Sequence, residues 1–345
     1  MRARTKEIRI GKVRIGADNP IAVQSMTNTD TKDEASTINQ IRSLEEHGCE
    51  IARVSVPDKE SLLSLRAIKE NISIPLVADV HFDHKLAIEA AGIADKIRIN
   101  PGNIGKENLK EVVDAARDNN IPMRVGINLG SLEKDIEKKF GLTALGMVES
   151  ALRTVKEIER LGFYSLVVSL KASDVLKTIE AYKMFSQRSQ YPLHLGITEA
   201  GSSFRGTINS SVGIGSLLLN GIGDTIRVSL SAEPVEEVKV GWQILKALRL
   251  RKRGIDITSC PTCARKGLDV ISIVKELEQR TSKMSKPLHI AVMGCGVNGP
   301  GEAKEADIGV VGGKGTSVLY KNGMIVDKIN DEQVIERLMK EIENA

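Results

Sequence analysis

The sequence has few aromatic side chains: one Trp, four Tyr and five Phe in 345 residues, or 3%. Little is available for stacking bases, and a net charge of +4 offers no strong field for a phosphate backbone. Nucleic acid is therefore not an expected partner. No apolar run reaches the roughly 20 residues of a membrane span. The opening stretch, MRARTKEIRIGKVRIG, lacks the apolar core of a secretory signal. The expected location is the cytoplasm, with no membrane partner. Cysteine is scarce too: Cys49, Cys260, Cys263 and Cys295 are all there is. In a reducing compartment these are not expected to form disulfides. Otherwise the composition, 41% hydrophobic and 27% charged, is that of a globular protein. The length suits one large domain followed by a smaller one.

Residues 1–240 alternate short apolar runs with helical patterns. The runs fall at 21–26, 51–56, 75–80, 96–100, 123–128, 165–170, 193–198 and 225–230. Strands separated by helices pair in parallel. Eight such units predict a TIM barrel, an α/β fold whose functional groups gather at the C-terminal strand ends. A doubly wound open sheet is the alternative. At those ends the sequence places Arg53; Asp79 and His81; Arg98, Asn100 and Asn103; Arg124 and Asn128; Lys171; Glu199; and Arg227 with Ser229. Any one of the five cations alone reads as an ordinary ion pair on the rim. Five on successive strands would repel one another unless a polyanion joins them. Each charge-assisted bond to a phosphate oxygen is worth about 1.5–3 kcal/mol. The expected ligand is a small, phosphorylated and preferably diphosphorylated molecule. Glu199 is a carboxylate among cations. It stays ionised unless desolvated, and desolvation would bring it into the range of a proton donor.

The stretch 241–254 reads as a linker, a helix end with a basic cluster at Arg249, Arg251, Lys252 and Arg253. It is either a solvated helix end favoured by the dipole or a docking patch for an acidic protein. Residues 255–345 change character. They predict a smaller α+β domain with a mixed or antiparallel sheet, an Asn322-Gly323 hairpin and a final helix capped by Asp331. Here "SCPTCAR" (259–265) is expected to open a helix, and "MGCGVNGPGE" (293–302) follows an apolar strand.

Three thiols in this part can form a zinc site, a redox disulfide or an iron–sulfur site. Structural zinc wants four thiolate or imidazole ligands, and no Cys or His follows Cys295. A redox CxxC would not need Cys295. A 4Fe–4S cluster takes four cysteines as a rule, so one corner is left to another group. Glu302, the one carboxylate inside the glycine-rich loop, is the candidate, although it also reads as a plain surface residue. The residues favour iron–sulfur without excluding zinc. Cys49, between a helical and a strand pattern, reads as a small buried residue.

Several stretches together resemble the 4-hydroxy-3-methylbut-2-enyl diphosphate synthase family in its two-domain bacterial form. They are SCPTCAR, MGCGVNGPGEAKEADIG (293–309), ADVHFDHKLA (78–87), IRINPGNIG (97–105) and RVGINLGSL (124–132). The resemblance implies a 4Fe–4S cluster held by Cys260, Cys263, Cys295 and Glu302. It implies that Arg53, Asp79, His81, Arg98, Arg124, Asn128, Lys171, Arg227 and Ser229 hold a cyclic diphosphate. Glu199 would be a proton donor, and Asn298 would face the substrate. The reaction implied is a two-electron reductive ring opening with loss of water, in isoprenoid precursor biosynthesis. Flavodoxin or ferredoxin would supply the electrons.

A helix of about 20 residues after the eighth strand would run some 30 Å back along the barrel. The small domain would then start far from its own barrel's mouth. A head-to-tail homodimer with shared active sites is the expectation. A phosphate-binding barrel with a zinc-stapled tail is the rival from another class. A different cluster-dependent dehydratase is the rival among enzymes.

Overall fold

The structure, a computed structural model, describes residues 4–105 and 107–345. It divides into two compact units, Met1–Arg251 and Lys252–Ala345.

The first unit opens with an antiparallel hairpin, β1 (Ile8–Ile10) and β2 (Val13–Ile15). Then come β3 (Ala22–Met26), β4 (Ile51–Ser55), β5 (Leu76–Asp79), β6 (Lys96–Ile99), β7 (Met123–Asn128), β8 (Leu166–Lys171), β9 (His194–Leu195) and β10 (Thr225–Ile226). All neighbours pair in parallel in chain order, and β10 returns to β3. A single parallel bridge, Val168 to Leu193, joins β8 to β9 and closes the ring. The expected TIM barrel is what is observed.

Alternation sorts its residues into two sets. Val23, Val54, Leu76, Ile97, Val125, Leu170 and Leu195 are buried in the main apolar core with the surrounding helices. Their alternates face the lumen. At the lumen's N-terminal end Ala22, Ile51, Val77 and Val167 form an apolar floor with Ile8, Ile10 and Ile15 of the hairpin. This hairpin was not foreseen from the sequence. The helices after β3, β4, β5 and β8 start on Asp33, Asp58, Asp83 and Asp174, whose carboxylates accept from first-turn N–H groups. Each cap is worth about 1 kcal/mol.

Two barrel runs are shorter than the sequence suggested: β9 and β10 are regular over two residues each. The helix after β10 spans Pro234–Ala247, about 21 Å rather than 30. Residues 241–247 are its second half and belong to the first unit. Trp242 Nε1 donates to the Gly48 carbonyl at 3.0 Å. The helix stops before the basic cluster, and Arg249 takes a left-handed φ of 54°. Arg251 is committed to the barrel. It donates to the Ile21 carbonyl and to Glu50 at 2.7 Å, and it covers the Trp242 ring.

The second unit is a mixed sheet of β11 (Ile255–Ser259), β12 (Leu288–Met293), β13 (Ile308–Val311), β14 (Thr316–Lys321) and β15 (Met324–Asn330). The first three are parallel and the last three antiparallel. On one face Ile290, Val292 and Val310 pack on helices Val270–Thr281 and Val334–Glu343. On the other, Ala291 and Met293 pack with Ala303 of the short helix Gly299–Glu305. Asn322 and Gly323 turn the expected hairpin, with φ of 50° and 79°.

Three expectations need correction. The CxxC does not open a helix; the next one begins at Val270, capped by Asp269. Part of the glycine-rich loop, Gly299 onward, is helical. Asp331 does not cap the last helix. It accepts from Ser317 Oγ at 2.6 Å, and the helix starts at Val334 after a 3₁₀ turn.

Candidate active site

The lumen above the apolar floor is polar. Its centre is Asp79, at the end of β5. Arg98 Nη1 donates to Asp79 Oδ1 at 3.0 Å and to His81 Nε2 at 2.5 Å. Arg53 Nε stands 3.6 Å from the other Asp79 oxygen and 3.1 Å from Met26 Sδ. Burial by itself would push the Asp79 carboxyl up. The Arg53 and Arg98 guanidiniums outweigh it and hold Asp79 well below the usual carboxylate range. Burial, against the pull of Asp79, brings Arg53 down to about 10.

The third and fourth cations have no such partner. Arg124, opposite Arg98 in register, is buried with Nε and Nη1 unsatisfied. Lys171, opposite Asn128 at the end of β8, is buried as well. Burial first, then neighbouring guanidiniums, pull both well below their ordinary values. The fifth cation, Arg227, is half-buried. It reaches Glu237 through Nε at 3.2 Å and Nη2 at 3.0 Å, and Ser229 Oγ at 3.2 Å.

Two lumen glycines make room for these long side chains. A Cβ on Gly126 would stand 2.6 Å from Arg98 Nε, and one on Gly196 would stand 2.7 Å from Lys171 Nζ. Any larger residue would displace the cation lying across it.

The structure thus gathers Arg53, Asp79, His81, Arg98, Arg124, Lys171, Arg227 and Ser229 at one barrel mouth, with Asn128 on its rim. Glu199 is on the same rim but exposed, with a left-handed φ of 50°. Asn100 turns out to be structural. It caps the short helix Pro101–Ile104 and donates to Ser131.

Four lumen residues were missed from the sequence: Gln24, Lys96, His194 and Glu237. The first three carry a readable signal, since each is a polar side chain at a lumen-facing position of its strand. Glu237 had none, because it reaches in from a helix. It is buried and also accepts from Ser25 Oγ and from the Leu230 N–H.

In the second unit, Cys260 follows β11 and Cys295 follows the adjacent β12. The Gly294 N–H donates to Cys260 Sγ at 3.2 Å, and a Cβ at 294 would press on that sulfur at 3.3 Å. Cys263 is exposed, and Cys260 and Cys295 are partly so. Asn298 and Glu302 are exposed on the same loop and helix start. Among the described residues no three His, Cys, Asp or Glu side chains converge closely enough to hold a metal ion. The donor chemistry nonetheless fits a sulfide-rich cluster: reachable thiols near neighbouring strand ends, with the Gly294 N–H turned toward the Cys260 sulfur. Cys49 takes no part. It is buried in the barrel unit, and burial pushes its thiol up to about 12.

Comparison with known proteins decides the family. Residues 5–242 match the GcpE TIM-barrel domain, and residues 256–344 match the GcpE protein C-terminal domain. The chain belongs to the GcpE family. It is 58% identical to a protein of Caldanaerobacter subterraneus subsp. tengcongensis over 99% of this chain and 98% of the other. It is 53% identical to one of Ruminiclostridium cellulolyticum, with the same coverage. Both relatives are named 4-hydroxy-3-methylbut-2-en-1-yl diphosphate synthase (flavodoxin). Among solved structures, the dihydropteroate synthase of Stenotrophomonas maltophilia aligns with a TM-score of 0.52. It is 13% identical and covers 71% of this chain and 99% of its own. That likeness shows the barrel fold alone.

Proposed function

We propose that this chain opens the ring of 2-C-methyl-D-erythritol 2,4-cyclodiphosphate and dehydrates it to 4-hydroxy-3-methylbut-2-enyl diphosphate. This is a reductive step of isoprenoid precursor biosynthesis, with flavodoxin as electron donor. The observation that carries the reading is a barrel mouth with five cations and two engaged carboxylates, in a chain more than half identical to its named relatives over its whole length. The balance is one cyclic dianion, two electrons and one proton in; one trianionic diphosphate and one water out. Two C–O bonds break, one from a ring carbon to a phosphate oxygen and one from the neighbouring carbon to the departing hydroxyl, and a C=C bond forms between those carbons.

Arg98 and Arg53, held by Asp79, present fixed forks to one phosphate. Arg124 and Lys171, without counter-ions, supply the charge that the opened diphosphate gains. Arg227, braced by Glu237, and Ser229 close the far side, with His81 and Asn128 as hydrogen-bonding groups. Glu199 would hold the proton needed by the departing hydroxyl once the mouth is covered. The family needs an iron–sulfur cluster. We assign it as 4Fe–4S, held by Cys260, Cys263, Cys295 and Glu302, with Asn298 beside the substrate. When bound, such a cluster supplies electrons one at a time.

The substrate must meet both the barrel mouth and the cluster, and we assign that meeting to two copies of the chain in a homodimer. Phe82, in the loop after β5, and Phe204, in the first turn of the helix Ser203–Leu219, are 77% and 80% exposed. A covering surface would bury them.

The test is an anaerobic assay with reduced flavodoxin and the cyclic diphosphate. Brown protein that releases the linear diphosphate is expected, and Cys263→Ala should lose both colour and turnover. A colourless, zinc-loaded protein that binds the cyclic compound without turning it over would establish the binding-module rival instead.

A further inference from the structure

TIM barrels fill their interior with layers of bulky apolar side chains. This one does so only at the floor. Around and just above that floor lies a polar layer: Gln24 from β3, Arg53 from β4, Lys96 from β6, opposite Val77 in register, Arg124 from β7 and His194 from β9. Both amide atoms of Gln24, Nζ of Lys96, Nε and Nη1 of Arg124, and Nε2 of His194 are buried without a hydrogen-bond partner. Four side chains with orphaned ends in one barrel interior are not ordinary packing. The remaining nitrogen of His194, Nδ1, lies 2.7 Å from Thr225 Oγ1 on β10. Lys171 of β8 borders the layer from above, and the Tyr182 hydroxyl donates to the His194 carbonyl from outside at 2.5 Å.

Among the described residues no carboxylate is free to balance this layer. Asp79 is engaged by Arg53 and Arg98, and Glu237 by Arg227. Guanidiniums keep their protons. The repulsion is therefore relieved at the amines and the imidazole. Lys96 is drawn well below the usual lysine range, by burial first and then by Arg124 and Arg53. His194 is drawn well below the usual histidine range, by burial first and then by Arg124, Lys171 and Lys96.

We propose that Lys96 and His194 form a proton-accepting layer beneath the diphosphate site, so that binding of the dianionic substrate above draws protons from solvent onto Lys96 Nζ and His194 Nε2. The proposal rests on the cyclic diphosphate as ligand. Each proton forms one N–H bond on a lone pair, and the buffer supplies it. The charge gained keeps the lumen matched to a ligand whose own charge rises by one when the ring opens. Neutral amines in the free protein thus avoid a repulsion that charged amines in the complex turn into binding.

Calorimetric titration of the cluster-containing protein tests this. It is done anaerobically, with the cyclic diphosphate and no reductant, near pH 8 in two buffers of different ionisation enthalpy. The ligand's phosphates are fully ionised there and contribute no protons. The apparent heat should vary with the buffer and report net uptake of about one proton or more per site. Lys96→Met should still bind and lose at least half of that uptake. Should this variant not fold, the native protein still shows whether protons are taken up at all. Its affinity should weaken as pH rises from 7 to 9, by up to about tenfold per pH unit for each proton taken up. Binding with no buffer dependence and a flat affinity overturns the proposal and leaves the diphosphate reading standing. Unchanged uptake in Lys96→Met overturns it as well. No binding of the cyclic diphosphate in either buffer overturns both.

Discussion

Asp79 shows what one carboxylate does among guanidiniums. It is buried, touches Arg98 at 3.0 Å and faces Arg53 at 3.6 Å. Its ionised form is stabilised in the folded chain, so its folded value lies below its unfolded one. Such a group contributes stability that is fully present above the unfolded value, near 4, and lost as pH falls toward the folded one. Asp79→Asn removes that contribution and leaves two buried guanidiniums facing each other. Breaking a buried pair from one side costs about 3–5 kcal/mol. We expect urea unfolding of the variant at pH 7 to show a loss of that order. Its stability should also fall less steeply than the native protein's between pH 5 and pH 3. Equal acid slopes for the two proteins would mean that Asp79 is not the group titrating there. Glu302 and Glu199 stand at the other extreme, both exposed in the folded chain, and their chemistry depends on what covers them.

At the scale of elements, the amino-terminal hairpin is the piece whose removal should be felt furthest from where it sits. Ile10 is fully buried against the barrel floor, where it packs with Ile51, Val77 and Val167. Ile10→Ala should lower the stability of the barrel unit by about 2–5 kcal/mol, the range for a core isoleucine cut to alanine. The loss should appear as a lower urea midpoint with an unchanged slope. The hairpin was illegible in the sequence for a physical reason. Its strands are three residues each, too short for a period-two pattern, and its apolar face has meaning only against a closed barrel. The barrel itself was legible because outward strand positions, Ser25 apart, are apolar and Asp caps mark several helix starts. The mouth cations were legible because they fall at strand ends. Gln24, Lys96 and His194 were passed over because they sit one layer deeper, where a barrel is expected to be greasy. In the second unit, Asn322-Gly323 announced its turn through the φ values it favours. Asp331 misled because a hydroxyl across the sheet edge, Ser317, competes for the carboxylate a helix start would use.

For the whole molecule, the question is whether one chain completes a site by itself. The cations we assign to the diphosphate lie in unit Met1–Arg251, and the three thiols we assign to the cluster lie in unit Lys252–Ala345. On that assignment the reaction needs both donor sets on one substrate. If the site is shared in a symmetric dimer, an Arg124→Ala chain and a Cys295→Ala chain complement each other. Random pairing makes half of the dimers mixed. Each mixed dimer holds one site built from the intact barrel of one chain and the intact cysteines of the other. Its second site combines both defects. A co-expressed pair should therefore regain about a quarter of native turnover, while each variant alone is inactive. A site completed within a single chain gives a different answer. Every chain then carries one defect, and mixing restores nothing. Activity near one quarter, measured on the whole co-expressed mixture with separate affinity tags to prove mixed dimers are present, places the meeting of substrate and cluster between two chains. Zero activity with mixed dimers demonstrated places it within one.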